Sequence, residues 1–277
     1  MEWAYRKMNY AMKKSITILL FLAAVCMETT IFAGEDFTVR KLFKGCQVFL
    51  GPQAYHSYRT RTGGTFQEGW LYGAEAEIQK VRRYKLYWGA KGFISTGDIR
   101  GHSGTGNHLI STLTDSEVEG RIGYTWQCRR CPKVLLTPFF GYGIFHQKNI
   151  YKSPSPLKLH FTTSCRYASF GFRVAMLLND IWNLGGDFSA QYVIEGKNRI
   201  AKDPVYDNTT QSIGEEMQYA LEAYIKYKTC LCGQLFDIGA VPFFHYRHFG
   251  GRENFPFDFI ATKYYNFGLR LGIFANF

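Results

Sequence analysis

The chain has 277 residues and a formal net charge of +11, and hydrophobic residues make up 46% of it. This apolar content is too high for an intrinsically disordered chain, and the length suits one large domain behind a targeting segment.

The N-terminal residues have the pattern of an export signal. From Met12 the chain reads MKKSITILLFLAAVCMETTIFAGED, with two lysines, an apolar run and a small residue at Ala33. This pattern predicts a signal peptide over residues 1–33, with Met12 as the true start. An uncleaved anchor is the weaker alternative, because the apolar run is short for a hydrocarbon core of about 30 Å. Residues 34–45 are then a short periplasmic segment ahead of a single domain, residues 46–277.

Ten later segments alternate apolar and polar residues with the period of two that a β-strand produces. Each has one apolar face and one polar face, as expected of a strand that crosses a bilayer in about 9 to 11 tilted residues. Pro52, Pro138 and Pro242 each remove a ladder donor and predict a bulge or local irregularity. The ten apolar faces include, in chain order, Leu50, Trp70, Trp88, Ile122, Phe140, Phe170, Phe188, Leu221, Ile238 and Leu271.

The links between these segments alternate between long and short. Short links such as QKVRRYK and QCRRCPK follow long ones such as STGDIRGHSGTGNHLISTLTDS. Bacterial barrels have short periplasmic turns and longer external loops, and an even strand number brings both termini to the periplasmic side. The sequence therefore predicts an all-β fold: a closed, antiparallel, up-and-down transmembrane β-barrel of ten strands, in the outer membrane of a Gram-negative bacterium.

The C-terminal stretch KYYNFGLRLGIFANF has the most regular alternation and ends on Phe277. With this strand and the alternating links, residues 46–277 resemble the small outer-membrane β-barrels of Gram-negative bacteria. That class includes OmpA-like barrels, the ten-stranded omptins and Opc-type adhesins. The resemblance implies an assembly signal read by the barrel-assembly machinery, and contact with outer-membrane lipid and lipopolysaccharide. The residues of this signal are Phe277, Ile273, Leu271 and Leu269.

The polar faces carry charges of both signs, six acids and four bases, which predicts a paired network inside the barrel. A ten-stranded barrel is only slightly wider than the eight-stranded size that side chains can fill. A closed lumen is therefore favoured over a narrow water-filled pore. The predicted lumen network consists of Glu75, Glu77, Lys91, Glu119, Arg121, Arg173, Asp187, Glu222, Asp237 and Arg270.

Most of the positive charge falls on the short links. The first 33 residues carry four bases and two acids, which leaves +9 of the formal charge for the rest, and the predicted periplasmic segments carry a net +9. An exported barrel with dispersed bases is not expected to bind nucleic acid. The bases could contact anionic phospholipid head groups or could belong to ordinary solvated turns. They are Lys80, Arg82, Arg83, Lys85, Arg129, Arg130 and Lys133.

Cysteines concentrate on the predicted periplasmic side. Cys128 and Cys131 share one turn, Cys230 and Cys232 another, and Cys46 precedes the first strand. An oxidising compartment favours disulfides over a zinc site, and the spacing makes Cys128 and Cys131 the predicted bridge. The other cysteines on this side are then available for links to further envelope proteins. Cys165 alone is expected near the external rim, where a membrane-impermeant maleimide should label it preferentially if its thiol is exposed.

Catalysis is not predicted, and no cofactor or metal is expected. A barrel protease or lipid A-modifying hydrolase would need joined acid and histidine side chains near the external rim. The candidates are joined by no motif; they are His56, His146, His245, His248, Glu216 and Asp258. The favoured function is a structural or surface-interaction role, as an adhesin or antigen, through the external loops. The alternative is a narrow diffusion pore, and a hydrolase is the weaker third.

Overall fold

The computed structural model describes residues 46–128, 131–156, 158–205, 208–231, 234–255 and 258–276. The predicted signal peptide, the segment 34–45 and Phe277 lie outside these residues. Among those described, no helix is long and apolar enough to cross a membrane. The strands are β1 (Cys46–Arg61), β2 (Thr65–Lys80), β3 (Leu86–His102), β4 (His108–Tyr124), β5 (Trp126–Gln127), β6 (Val134–Lys152), β7 (His160–Leu177), β8 (Trp182–Ala201), β9 (Thr210–Ser212), β10 (Met217–Leu231), β11 (Gln234–Phe249) and β12 (Thr262–Asn276).

Ten of these strands form one closed antiparallel sheet. The path runs β10, β11, β12, β1, β2, β3, β4, β6, β7, β8, and pairing of β8 with β10 closes it. The short β5 and β9 add to the edges of β6 and β8. The structure thus confirms the predicted all-β, closed, ten-stranded barrel.

The apolar faces point outward as the alternation predicts. Leu50, Phe140 and Leu271, for example, are exposed on the outer wall. Polar and aromatic residues of the opposite face are buried in the lumen, as Gln53, Glu119 and Arg270 show. The core of this protein is therefore the inside of the barrel, and its outer wall is an apolar belt.

The strands are longer than a bilayer crossing requires. They run for 15 to 20 residues, so β1 and β2 continue through the predicted first loop and leave a turn of only residues 62–64. Gly63 and Gly64 have positive φ angles there, a conformation that glycine tolerates best. The predicted external loops were too long, because the ladder continues after the apolar alternation ends.

The three prolines interrupt ladders without shifting them. Pro52 has no partner on β12, although the β1–β12 register is the same on either side, and Pro242 interrupts the β10–β11 ladder in the same way. A shift of register occurs instead between Arg166 and Tyr167, opposite β8. Proline removes one donor, which a ladder tolerates as a gap. At Pro52 and Pro242 the predicted bulge or local irregularity therefore takes the form of a gap in the ladder and not of a bulge.

Candidate functional site

The middle of the lumen holds a buried ion-pair cluster centred on Glu222. Arg270 on β12 donates to Glu222 at 3.1 Å and to Glu75 at 2.9 Å. Lys91 on β3 reaches Glu222 at 2.9 Å and lies 3.8 Å from Glu119. Five strands, β2, β3, β4, β10 and β12, thus meet through charged side chains across the barrel axis.

A second cluster adjoins the first on the side of the chain termini. Asp187 accepts from Arg121 at 3.0 Å and from Arg173 at 2.6 Å. Arg121 also donates to Glu119 at 3.0 Å, which joins the two clusters, and Arg173 donates to Glu77 at 2.7 Å. Within these two clusters, each buried charge has an opposite charge within ion-pair distance, which offsets the cost of desolvation.

The tenth predicted network residue, Asp237, stands apart. It is buried, accepts a hydrogen bond from Asn276 at 3.3 Å and forms no ion pair within the part of the chain described. It lines a cavity of about 60 Å³ at the end of the barrel that carries the termini, together with Lys226 and Arg173. A space of this size holds a few water molecules, so the lumen is wet at this end.

Further charged residues lie between these clusters and the loop end of the barrel, and they were not predicted from the sequence. Glu117 on β4 accepts from Arg247 on β11 through a short ion pair and from the Tyr167 hydroxyl at 2.7 Å. Asp115 accepts from the Tyr55 hydroxyl at 2.9 Å. Both acids fall beyond the strand end that the apolar alternation marks, and the continuing period of two on the polar face is the signal that could have found them.

Aromatic rings fit inside the barrel because glycines face them. A Cβ atom on Gly143 would lie 2.3 Å from the Tyr167 ring, and one on Gly185 would lie 2.2 Å from the Tyr224 ring. Both distances are well inside van der Waals contact. The glycines on the polar faces therefore make room for rings that fill the lumen.

An apolar layer closes the lumen toward the loop end. Phe145 stacks against Phe249 with ring centroids 6.0 Å apart, and Phe249 meets Tyr264 edge-on at 5.8 Å. The described members of this layer are Tyr55, Leu71, Ile99, Leu113, Phe145, Cys165, Tyr167, Val193, Ile213, Phe243, Phe249, Phe259 and Tyr264.

Two loops fasten over this layer. The backbone of Gly214 pairs with that of Gly250, and the Asn254 side chain accepts from the Ser212 amide at 2.8 Å and donates to its carbonyl at 3.0 Å. These bonds tie residues 202–216 to residues 250–261, and Ile213 and Phe259 from the two loops enter the apolar layer. The loop end of the barrel is therefore capped by its own chain.

The structure decides whether the thiol of Cys165 is exposed. Cys165 lies on β7, which begins at His160, and its side chain is buried in the apolar layer. The condition for preferential labelling of this thiol is therefore not met. Cys128 and Cys131 lie in the link between β5 and β6, as predicted; a bridge between them stays a prediction.

The histidine and acid candidates for catalysis are scattered. His245 is buried in the lumen 3.2 Å from Glu222, whereas His56 faces outward between the rings of Trp70 and Phe267. His146 contacts Ser164 at 2.8 Å on the outer wall. His248 pairs with Glu216 at 3.3 Å, and Asp258 accepts from the Asn254 amide. The structure brings no nucleophile, histidine and acid together among these candidates.

Two further findings concern the remaining predicted sites. Within the residues described, no group of three or more histidine, cysteine, aspartate or glutamate side chains is placed to hold a metal ion. Leu269, Leu271 and Ile273, of the predicted assembly signal, are exposed on the outer wall of β12.

Comparisons with known proteins identify the fold. No family model and no curated protein matches the chain. The outer-membrane protease OmpT from Escherichia coli superimposes with a TM-score of 0.53 at 11% identity, covering 90% of this chain and 99% of that chain. The translocator domain of the autotransporter NalP from Neisseria meningitidis gives 0.47 at 10% identity, covering 97% and 98%. At such identities the likeness to OmpT shows the fold alone, a closed antiparallel barrel.

Proposed function

We propose that this chain is an integral outer-membrane β-barrel of a Gram-negative bacterium, with a closed lumen and a structural or surface-interaction role. A continuous apolar belt on the outer wall supports the membrane location, because a soluble protein rarely exposes so large an apolar surface. Exposed members of this belt include Leu50, Tyr72, Ile94, Val118, Phe140, Ile144, Phe170, Ile238, Leu271 and Ile273.

The filled lumen is the observation that favours a closed barrel over a pore. The ion-pair clusters span the middle, and the apolar layer with its two capping loops occupies the loop end. Ions crossing the barrel would have to break paired charges and then pass an apolar layer, and both steps are costly. The wet cavity beside Lys226 is then a blind end rather than one mouth of a channel.

The loop end is the part of the molecule that fits a surface interaction. Residues 202–216 and 250–261 are held against each other, and exposed apolar side chains such as Phe255 and Val205 project from them. An adhesin or surface antigen presents such ordered loops to its surroundings. Partners at the opposite end, including envelope proteins disulfide-linked through Cys46, Cys230 or Cys232, belong to the same proposal.

A proteoliposome swelling assay tests the proposal. Liposomes containing the refolded protein should swell in arabinose at the rate of empty liposomes, whereas liposomes with a wide porin in equal amount should swell rapidly. Solute entry through the refolded protein would overturn the closed barrel in favour of a diffusion pore. Failure to insert into the liposomes would overturn the membrane location itself.

A further inference from the structure

Two turns form one surface at the end of the barrel where β1 begins and β12 ends. The turn between β2 and β3 lies beside the segment after β4, because β3 and β4 are neighbours in the sheet. The Tyr84 amide donates to the Thr125 carbonyl at 3.0 Å, and the Thr125 amide donates to the Lys85 carbonyl at 3.1 Å. The backbones of the two segments are therefore held side by side.

This surface is strongly basic. Residues 78–86 and 125–135 contain seven lysines and arginines and no acid. Arg129 and Arg130 lie outside the described residues; the basic patch is defined here by the other five. They are Lys80, Arg82, Arg83, Lys85 and Lys133.

Bases at the loop end are arranged differently. Arg166 and Lys197 both pair with Glu195, at 3.3 and 2.9 Å, and Lys152 pairs with Asp98 at 3.1 Å. Acids of the same wall thus neutralise much of the charge at that end. The two segments of the basic patch contain no acid of their own, so the patch concentrates positive charge at this end of the barrel.

Exposed aromatic side chains border the basic patch on its membrane side. Lys80 lies directly opposite Trp88 in the β2–β3 ladder, and Arg83 lies over the Tyr84 ring at 5.2 Å. Tyr124 and Trp126, with ring centroids 5.4 Å apart, are exposed on the adjoining strands. Tryptophan and tyrosine in this position mark the head-group level of a bilayer.

We propose that the basic patch binds the phosphates of anionic phospholipids in the leaflet nearest the chain termini. The aromatic border sets the depth of the bases at the head groups, where each base is attracted to the anionic surface. A soluble polyanion fits less well, because the aromatic side chains would keep the patch against the bilayer. This inference rests on the membrane location given under Proposed function.

Two variants with equal loss of charge test it. The patch variant carries Lys80→Gln, Arg82→Gln, Arg83→Gln and Lys85→Gln. The control carries four glutamines at exposed loop-end bases, replacing Lys148, Lys152, Lys158 and Lys197. Native mass spectrometry of the folded proteins measures binding of phosphatidylglycerol and of phosphatidylcholine, and heat-modifiable mobility on gels verifies folding.

The unaltered protein should bind phosphatidylglycerol in preference to phosphatidylcholine. Binding should be weaker at about 0.5 M than at about 0.05 M salt, because salt screens the attraction between exposed charges. The dissociation constant for phosphatidylglycerol should rise at least about tenfold in the patch variant and less than about twofold in the control. Equal loss in both variants, or no lipid preference in the parent, would overturn the inference. So would displacement of the lipid by a soluble sulfated polymer at matched charge. A parent that inserts into bilayers without this preference refutes the patch alone, whereas one that never inserts refutes the proposed function.

Discussion

Replacing Arg270 by methionine should destabilise the barrel by about 3 to 5 kcal/mol, the usual cost of removing one partner from a buried ion pair. Arg270 is the ion-pair partner of Glu75 at 2.9 Å, whereas Glu222 keeps Lys91 when the guanidinium is lost. The loss therefore falls mainly on Glu75. A space of about 10 Å³ beside these groups admits roughly one water molecule, which limits solvation of the orphaned carboxylate.

Urea unfolding in detergent micelles, followed by tryptophan fluorescence, measures this cost. Adding Glu75→Gln to Arg270→Met should recover at least about half of the lost stability, because the second change removes the orphaned charge. Arg100→Met, at an exposed position on β3, is the control and should change stability by less than about 0.5 kcal/mol. If the double variant is as unstable as Arg270→Met alone, the reasoning is refuted. The lost stability would then come from packing of the Arg270 side chain and not from its ion pair with Glu75.

Three further predictions test the faces, the lumen and the assembly signal. Leu221→Arg, on the outer wall, should cost about 2 to 4 kcal/mol near the bilayer midplane, whereas Glu222→Gln should leave insertion into liposomes intact; the reverse would place the register of β10 one residue off. In intact cells a membrane-impermeant maleimide should leave Cys165 unlabelled until the protein is denatured, because its thiol is buried, and rapid labelling would contradict the filled lumen. Deleting Phe277 should reduce the amount of heat-modifiable protein in outer membranes, and equal amounts in the deletion and the parent would count against an assembly role.

The fold followed from the sequence because membrane strands obey a simple rule. Apolar and polar residues alternate wherever one face meets lipid, so Leu271 and Arg270 were assigned to opposite faces, as the structure has them. The rule fails above the membrane, where both faces of a strand are polar. For that reason Asp115 and Glu117 were taken for loop residues although they lie on β4.

The pairing inside the lumen could not be predicted in the same way. Arg270 and Glu75 are 195 residues apart in the chain, and Arg247 and Glu117 are 130 apart. Alternation gives the face on which a side chain lies, but the partner across the barrel depends on strand order, stagger and rotamer. The apolar layer could not be predicted for the same reason, because its members lie on many strands and on two loops and meet only inside the closed barrel.

Single-channel recording in planar bilayers tests the closed lumen most directly. The refolded parent protein should insert, as protection from added protease verifies, and should give no stepwise conductance in 1 M KCl at moderate voltage. This result is expected because the proposed closed barrel has the ion-pair clusters and the apolar layer of Phe145, Phe249 and Tyr264 in the path of an ion. Reproducible conductance steps from the inserted parent protein would contradict a closed barrel and establish a pore.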